Sequence, residues 1–381
     1  MRPLGLYIHW PFCPSKCPYC DFNSHVREGV DNKRWQRALL QELDHAACGT
    51  TGRKLTSIFF GGGTPSLMDP ETVGALITKA KMLFPCDADL EVTLEANPGT
   101  MSFEKCEGFR QAGVNRLSMG VQSLQDEALA FLGRRHSVSQ ALEAVEMAAA
   151  IFPRFSFDLI YARPDQTEAA WREELTRALG FAHGHLSLYQ LTIEPQTAFA
   201  TRMARGEMMT LAPDPAASLY EFTEALMAEA GLPSYEVSNY AAPGQECRHN
   251  LIYWNFEDYI GIGPGAHGRI TQGGVKHATY RFKAPETWLT AVEERGHAMD
   301  TLLPLTPQER LQEVTLMGLR LTQGLSLARL HAETGLEPEE AFPGLEALEK
   351  EGLVRRTGTH LIVTPEGRLR LNSLIAFLLR A

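Results

Sequence analysis

The 381-residue sequence has no long run of apolar residues and no surplus of positive charge. No stretch approaches the ~18 consecutive apolar residues that a membrane-spanning helix needs, so we predict no integral membrane segment. Lys and Arg number 36 against 46 Asp and Glu, a formal net charge of −10. Proteins that bind nucleic acid or anionic membranes use surplus Lys and Arg to neutralise phosphate, so this balance argues against nucleic-acid partners.

Cysteine is scarce and unevenly placed. The chain has seven cysteines, an odd number, and three of them, Cys13, Cys17 and Cys20, lie within eight residues. This pattern is not that of a disulfide framework. Residues 1–10 carry only a short apolar run, which does not fit a signal peptide. The sequence therefore predicts a protein of the reducing cytoplasm.

Short β-rich segments alternate with helical patterns before residue 240. The predicted strands are 6–9, 57–60, 90–94, 116–119, 157–160 and 186–189. The predicted helices, with apolar residues at i, i+3 and i+4, are 33–47, 70–84, 103–112, 138–149, 169–182 and 216–230. This alternation favours an α/β fold of parallel strands with right-handed helical crossovers. A βα barrel, closed or partial, fits the pattern, and a doubly wound open sheet is the alternative.

The C-terminal segment has a different pattern. From Thr306 onward it predicts three helices (309–321, 326–333, 343–351), a hairpin around Thr357 and a last amphipathic helix. That order is typical of a winged helix, but nine Lys/Arg against ten Asp/Glu in 306–381 argue against DNA binding. We predict three parts: a barrel at 1–240, a connecting region at 241–305, and a winged-helix-like α+β domain at 306–381 with a structural or lid role.

The segment Cys13-Pro-Ser-Lys-Cys17-Pro-Tyr-Cys20 suits an iron–sulfur cluster, because thiolates bind such clusters strongly. Three ligands leave one iron of a cubane open. The alternative is a structural zinc site completed by His9 or His25. Zinc loops usually add a second ligand pair farther along the chain, and no such pair is evident.

Polar residues and glycines follow several predicted strands. Gly61, Gly62 and Gly63 follow the second strand, Glu95 ends the third and Gln122 the fourth. In a βα barrel these strand ends form the face where chemistry occurs. A glycine there also lets the backbone approach a ligand closely.

The Cys-x3-Cys-x2-Cys spacing, with Tyr19 just before the last cysteine and the loop directly after the first strand, resembles the radical S-adenosylmethionine (SAM) superfamily. The resemblance implies a partial (βα)6 TIM-like barrel with a [4Fe–4S] cluster on Cys13, Cys17 and Cys20. SAM chelates the open iron in that superfamily, and its reductive cleavage yields a 5′-deoxyadenosyl radical.

Nearly the whole chain is similar to the oxygen-independent coproporphyrinogen III oxidase family. The resemblance implies these SAM-binding residues: Tyr7, Tyr19, Gly62, Gly63, Thr64, Glu95, Gln122, Arg134, Asp158, Thr192 and His267. For Arg134 the alternative is a solvated charge at a helix end. Ala162 and Asp165 replace the glycines usual after Asp158, so we expect the local backbone to differ there.

Within that family, the segment Cys20-Asp-Phe-Asn-Ser24 and the element His249-Asn250-x-x-Tyr253-Trp254 resemble the HemW-like branch, regarded as heme chaperones. The resemblance implies binding of heme or another tetrapyrrole, transfer to an acceptor protein, and an electron donor for the cluster. His249 is the candidate heme ligand, because an imidazole beside aromatic side chains suits a heme. The alternative is that His249 and Asn250 are hydrogen-bonding core residues.

Two rival functions remain at this stage. The first is the family's oxidative decarboxylation of coproporphyrinogen III, but that branch has a longer N-terminal arm and a fourth cysteine two residues after the third. The first cysteine here is residue 13, and Phe22 stands where that fourth cysteine would be. The second rival is a zinc-stabilised winged-helix regulator.

Overall fold

The computed structural model describes residues 1–50 and 52–380. Its strands are β1 Arg2–Trp10, β2 Phe12–Cys13, β3 His25–Val26, β4 Arg53–Gly62, β5 Cys86–Ala96, β6 Arg116–Gln122, β7 Arg154–Tyr161, β8 His185–Gln190, β9 Asn239–Ala241, β10 Asp258–Ile262, β11 His267–Gln272, β12 Val275–Arg281, β13 Met299–Pro304, β14 Leu325–Ser326, β15 Val354–Arg356 and β16 His360–Val363.

The α-helices are α1 Asn32–Ala47, α2 Pro70–Leu83, α3 Phe103–Ala112, α4 Asp126–Phe131, α5 Val138–Ile151, α6 Glu168–Leu179, α7 Ala198–Ala204, α8 Pro213–Glu229, α9 Arg248–Trp254, α10 Pro285–Arg295, α11 Pro307–Gly318, α12 Leu327–Thr334, α13 Pro338–Ala341, α14 Leu345–Lys350, α15 Pro365–Arg368 and α16 Leu371–Leu378. None of the helices described is long and apolar enough to cross a membrane.

Several helices begin where a short polar side chain caps the first turn. The capping residues, whose side chains accept a hydrogen bond from the backbone N–H three positions on, are Asp31, Ser102, Ser137 and Thr167. Each satisfies an N–H group that has no partner within its helix. The sequence therefore sets the starts of α1, α3, α5 and α6 locally.

The main sheet has eleven strands in the order β13-β12-β11-β10-β1-β4-β5-β6-β7-β8-β9. Strands β1 and β4 to β8 are parallel and stand side by side in chain order. Sequential order is that of a βα barrel, because a doubly wound sheet reverses its strand order partway. Among the described residues β13 and β9 are the sheet's two edges, so the barrel is partial. The predicted fold class is confirmed.

The region predicted as a connection, 241–305, adds strands to this same sheet. Strand β10 pairs with β1 in parallel, and β11 to β13 continue from it in antiparallel pairs. The buried carboxylate of Glu42 on α1 fastens this extension, accepting hydrogen bonds from Gly263 N (2.8 Å), Trp288 Nε1 (2.9 Å) and Ala298 N (2.9 Å).

The C-terminal segment forms a three-stranded sheet, β14-β16-β15, with helices α11 to α16 around a second hydrophobic core. The hairpin and last helix agree with the winged-helix pattern. The predicted helix 343–351 is wrong at its start, because α13 ends before Phe342 and α14 begins only at Leu345. Phe256 and Ala278 of the main sheet region join this core, so the C-terminal domain packs against the sheet's extension.

Candidate functional site

The three clustered cysteines lie on a loop held at both ends. Strand β2 pairs in parallel with β3, which sets Cys13 opposite Val26. Cys13 is buried, whereas Cys17 and Cys20 are half-buried. Thr64 Oγ1 donates a hydrogen bond to Cys13 Sγ (3.2 Å). Burial raises the pKa of the Cys13 thiol, and the hydrogen bond from Thr64 opposes that rise, so Thr64 favours the thiolate form that binds metal.

The cysteine loop forms one wall of a cavity of about 660 Å³ at the C-terminal ends of the parallel strands. All three cysteines line it. So do nine of the residues predicted to bind SAM: Tyr19, Gly62, Gly63, Thr64, Glu95, Gln122, Arg134, Asp158 and Thr192. The structure thus brings together side chains from five strand ends at the face where βα barrels carry their chemistry.

The cysteine loop packs so closely against the loop after β4 that position 63 must be glycine. A Cβ at position 63 would lie 2.7 Å from the carbonyl oxygen of Phe12, which no side chain tolerates. The close approach lets Gly63 N donate to Trp10 O (2.7 Å) and Thr64 N donate to Phe12 O (2.9 Å). The glycines after β4 therefore allow close contact with the cysteine loop as well as access to the cavity.

Two carboxyl groups lie buried in the cavity wall. Burial, followed by the nearby Asp158, raises the pKa of Glu95 to about 8, and burial raises the pKa of Asp158 to about 6. Glu95 Oε2 accepts a hydrogen bond from Gly62 N (3.2 Å), whereas Asp158 Oδ1 is buried with no partner among the described residues. Because a cation would relieve both conditions, these residues fit a positively charged ligand. SAM, with its sulfonium and ammonium groups, is such a ligand.

Arg134 is not the solvated helix-end charge that the sequence left open. Its Nη1 donates to Cys17 Sγ (3.4 Å) and its Nη2 donates to Gly120 O (2.7 Å). Gln122, nearby, has a φ of 77° where the pairing of β6 with β7 is irregular. A left-handed glutamine at a strand end is a strained conformation of the kind that clusters at binding sites.

The turn after Asp158 adopts a backbone conformation that glycine favours, although the residues concerned are Ala162 and Asp165. Ala162 and Asp165 both have a φ of 58°, in the left-handed region that glycine favours. Ala162 and Asp165 therefore have a strained, left-handed backbone. The turn does not change to a right-handed or extended conformation.

Two of the residues predicted to bind SAM, Tyr7 and His267, lie outside the cavity lining. Tyr7 directs its hydroxyl toward His9 Nδ1 (3.1 Å). His267 is exposed at the start of β11, where its ring contacts that of Tyr280 at 4.7 Å between centroids. Burial, then the nearby charge of Glu95, raises the pKa of Tyr7, so Tyr7 lies near one of the predicted SAM residues although it does not line the cavity.

His249, the candidate heme ligand, lies in the interior with both ring nitrogens engaged. Nδ1 is 2.8 Å from Ser57 Oγ and Nε2 is 2.8 Å from Tyr253 OH. Both ring nitrogens are therefore engaged in this structure, which favours the hydrogen-bonding core interpretation, and heme binding by His249 stays a prediction. Burial, then the charge of Arg116, lowers the pKa of His249 to about 3, so the ring is neutral at pH 7.

An ionic cluster missed by sequence reasoning fixes the loops behind the cavity. Arg163 Nη2 and Glu174 Oε2 are 2.6 Å apart and both side chains are buried. Glu174 also accepts from Leu124 N (2.8 Å), so α6 holds the loops after β6 and β7. The sequence offered one indication of this ion pair, because Glu174 lies on the apolar face of the predicted helix 169–182.

The geometry of the cysteine loop does not suit a single metal ion. Among residues 1–50 and 52–380 no three His, Cys, Asp or Glu side chains are placed to bind one ion. His9, a proposed zinc ligand, has Nε2 2.9 Å from Asn23 O. A structural zinc site needs four ligands around one ion, so the described residues do not support the zinc alternative.

The comparisons with known proteins agree with this site. Residues 7–178 match the model of the Radical SAM superfamily and residues 305–370 match that of the HemN C-terminal domain. The fold is that of coproporphyrinogen III oxidase (HemN) from Escherichia coli, with a TM-score of 0.82 and 24% identity over 100% of this chain and 90% of that chain. Fold and site together define a radical SAM protein with a HemN-type C-terminal domain.

Proteins with similar sequences identify the family more narrowly. The heme chaperone HemW of Escherichia coli (strain K12) is 37% identical over 100% of this chain and 99% of its own. The mitochondrial radical S-adenosyl methionine domain-containing protein 1 of Bos taurus is 39% identical over 98% of this chain and 87% of its own. Heme chaperone HemW of Bacillus subtilis (strain 168) is 34% identical over 98% of both chains. The chain therefore belongs to the HemW family of radical SAM proteins.

Proposed function

We propose that the protein is a cytoplasmic heme chaperone, which binds heme and transfers it to an acceptor protein. The observation that carries the proposal is the end-to-end similarity to proteins named heme chaperone HemW, in which 37% identity extends over 99% of the Escherichia coli relative.

The proposed cofactors are a [4Fe–4S] cluster on Cys13, Cys17 and Cys20 and a SAM molecule at its open iron. Such a cluster supplies one electron for the reductive cleavage of SAM. The chain's own residues hold and orient these groups: Thr64 and Arg134 direct hydrogen bonds at two of the thiols. Glu95 and Asp158 offer carboxyl oxygens to the cationic end of SAM.

The nearest alternative is coproporphyrinogen III decarboxylation. The structural likeness to HemN, at 24% identity, speaks for a shared fold and not for a shared reaction. Phe22 occupies the position of the fourth cysteine of the decarboxylating branch, and this favours the chaperone. The heme acceptor and the electron donor are partners still to be identified.

Heme binding tests the proposal directly. Protein reconstituted anaerobically, with about four irons and four sulfides per chain, is titrated with heme while the Soret absorbance is followed. We expect saturation at about one heme per chain, followed by loss of the signal to added apomyoglobin. Cluster-loaded protein that shows no saturable Soret change would overturn the heme-chaperone assignment and leave the cofactor assignment standing.

A further inference from the structure

Each of the three clustered thiols lies beside one polar side chain that can donate a hydrogen bond to it. The pairs are Thr64 Oγ1 with Cys13 Sγ (3.2 Å), Arg134 Nη1 with Cys17 Sγ (3.4 Å) and Ser24 Oγ with Cys20 Sγ (3.8 Å). The donors come from three separate places, which are the loop after β4, the loop between α4 and α5, and the residue before β3. A cluster on these cysteines would therefore have one donor at each of its protein ligands.

The direction of these hydrogen bonds is fixed once the cysteines bind iron. A thiolate carries no proton and can only accept, so the hydroxyls of Thr64 and Ser24 must donate. Both residues are buried, with Thr64 5% and Ser24 7% exposed. Water competes little for hydrogen bonds in such surroundings, so each bond is stronger than it would be at the surface.

Thr64 directs its hydroxyl at Cys13 although a second use lies close by. It precedes the short 3₁₀ helix Pro65–Leu67, a position where a threonine side chain usually caps the helix. Here the side chain makes no capping hydrogen bond. The backbone of Thr64 is held in place because its N–H donates to Phe12 O (2.9 Å). The hydroxyl is therefore oriented toward the thiol before a cluster is bound.

Arg134 differs from the two hydroxyls because its donor group carries a charge. Its Nη2 donates to Gly120 O (2.7 Å), which holds the guanidinium beside Cys17. Hydrogen bonds from charged donors are roughly twice as strong as neutral ones. A cluster that accepts an electron becomes more negative, so donors and positive charge at its sulfurs favour the reduced form.

We propose that Thr64, Arg134 and Ser24 set the reduction potential of the cluster, each through the thiolate that it faces. The inference rests on the [4Fe–4S] cofactor of the proposed function. Together the three donors raise the potential, which makes the cluster easier for its electron donor to reduce. Arg134 contributes most because of its charge, and Ser24 contributes least because its contact is the longest.

Substitutions that remove one donor at a time test the proposal. Thr64→Val, Ser24→Ala and Arg134→Met each remove one donor, whereas Thr64→Ser keeps the hydroxyl. Ser15→Ala is the matched control, because Ser15 lies on the cysteine loop and lines the cavity but makes none of these three hydrogen bonds. The midpoint potential is measured by anaerobic redox titration followed by electron paramagnetic resonance. The samples are cluster-reconstituted protein without SAM, and iron and sulfide are determined for each.

We expect Thr64→Val and Ser24→Ala to shift the midpoint potential to more negative values, and Arg134→Met to shift it further. Thr64→Ser and Ser15→Ala should keep the wild-type potential. The two hydroxyl variants decide the question even if Arg134→Met fails to fold.

Three results would count against these assignments. A wild-type potential in Thr64→Val, at full iron and sulfide content, would overturn the inference and leave the proposed cofactor standing. A shift in Ser15→Ala as large as that in Thr64→Val would show a general effect of the loop and would also overturn it. Wild-type protein that takes up no iron and sulfide would overturn the proposed cofactor itself.

Discussion

At the scale of single residues, the ends of β6 and β7 hold backbone conformations that L-amino acids rarely adopt. Ala162 and Asp165 have left-handed backbones without being glycine, and Gln122 is left-handed at the end of β6. Each such residue costs about 1–2 kcal/mol and persists because the surroundings hold it in place. Of these three residues, Gln122 lines the cavity, and Ala162 and Asp165 lie in the turn after β7.

Replacing Ala162 by glycine should therefore stabilise the protein. We expect Ala162→Gly to raise the free energy of unfolding by about 1 kcal/mol, because glycine adopts a φ of 58° without strain. Denaturant unfolding measures the change. As a control, Ala144→Gly in the middle of α5 should lower stability by about 1 kcal/mol. Destabilisation by both substitutions would contradict the strain at position 162.

A second prediction at the residue scale concerns the loss of folding stability at low pH. His249 titrates at about pH 3 in the folded protein and near 6.5 in the unfolded chain. Below pH 6.5 the unfolded chain binds a proton that the folded ring does not, so stability present above 6.5 is lost as the pH falls. We expect His249 to contribute a loss approaching about 1 kcal/mol per pH unit between pH 6 and 5.

Denaturant unfolding at pH 7.5, 6.0 and 5.0 measures that loss. The variant His249→Gln, which cannot titrate in this range, should lose less stability on acidification than the wild type, whatever its stability at pH 7.5. An identical pH dependence in the two proteins would show that His249 is protonated when folded, in conflict with its buried hydrogen bonds to Ser57 and Tyr253.

At the scale of elements, helices and strands are positioned by a few buried charges. Glu42 on α1 joins β10 to the region of α10, and Glu174 on α6 joins the loops after β6 and β7. Each carboxylate receives several donors, which a buried charge requires.

Removing one of these carboxylates should destabilise the fold. We expect Glu174→Ala to lower the free energy of unfolding by about 3 kcal/mol or more, since Arg163 would be left buried without its partner. Glu173→Ala, at an exposed neighbouring position, should change it by less than about 0.5 kcal/mol. Thermal unfolding of the two variants makes the comparison, and similar melting temperatures would contradict the role given to Glu174.

The sequence predicted elements better than it predicted contacts. The six parallel strands were predicted correctly because their alternation with helices is a local pattern. Strands β10 to β13 were missed, since their region is interrupted by glycines and its pairing is decided by distant residues. The partner of His249 shows the limit: Ser57 lies 192 positions away, so only the folded chain reveals that the imidazole is already bonded.

At the scale of the whole molecule, the C-terminal domain is joined to the sheet extension by charges. Lys276 on β12 is 2% exposed and its Nζ lies 3.3 Å from Glu333 on α12. Arg269 on β11 pairs with Glu313 on α11 at 2.8 Å. These ion pairs add to the apolar contacts that Phe256 and Ala278 make with the C-terminal core, and each buried charge among them depends on its partner.

Loss of Lys276 should loosen that junction. We expect Lys276→Ala to speed proteolysis between the sheet extension and the C-terminal domain severalfold, because Glu333 and Asp258 lose a buried cation. Lys350→Ala, which removes an exposed pair with Glu346, should leave the cleavage rate unchanged. Equal cleavage rates in the two variants would show that the ionic junction does not hold the domains together.

The central claim is that this radical SAM protein carries heme and does not decarboxylate coproporphyrinogen III. The most direct test incubates cluster-reconstituted protein anaerobically with coproporphyrinogen III, SAM and a reductant, and measures porphyrin products and 5′-deoxyadenosine. We predict no decarboxylated product above a Cys17→Ala control, in a sample whose cluster and SAM binding are intact. Decarboxylated product above that control would contradict the account and make the protein a coproporphyrinogen III dehydrogenase.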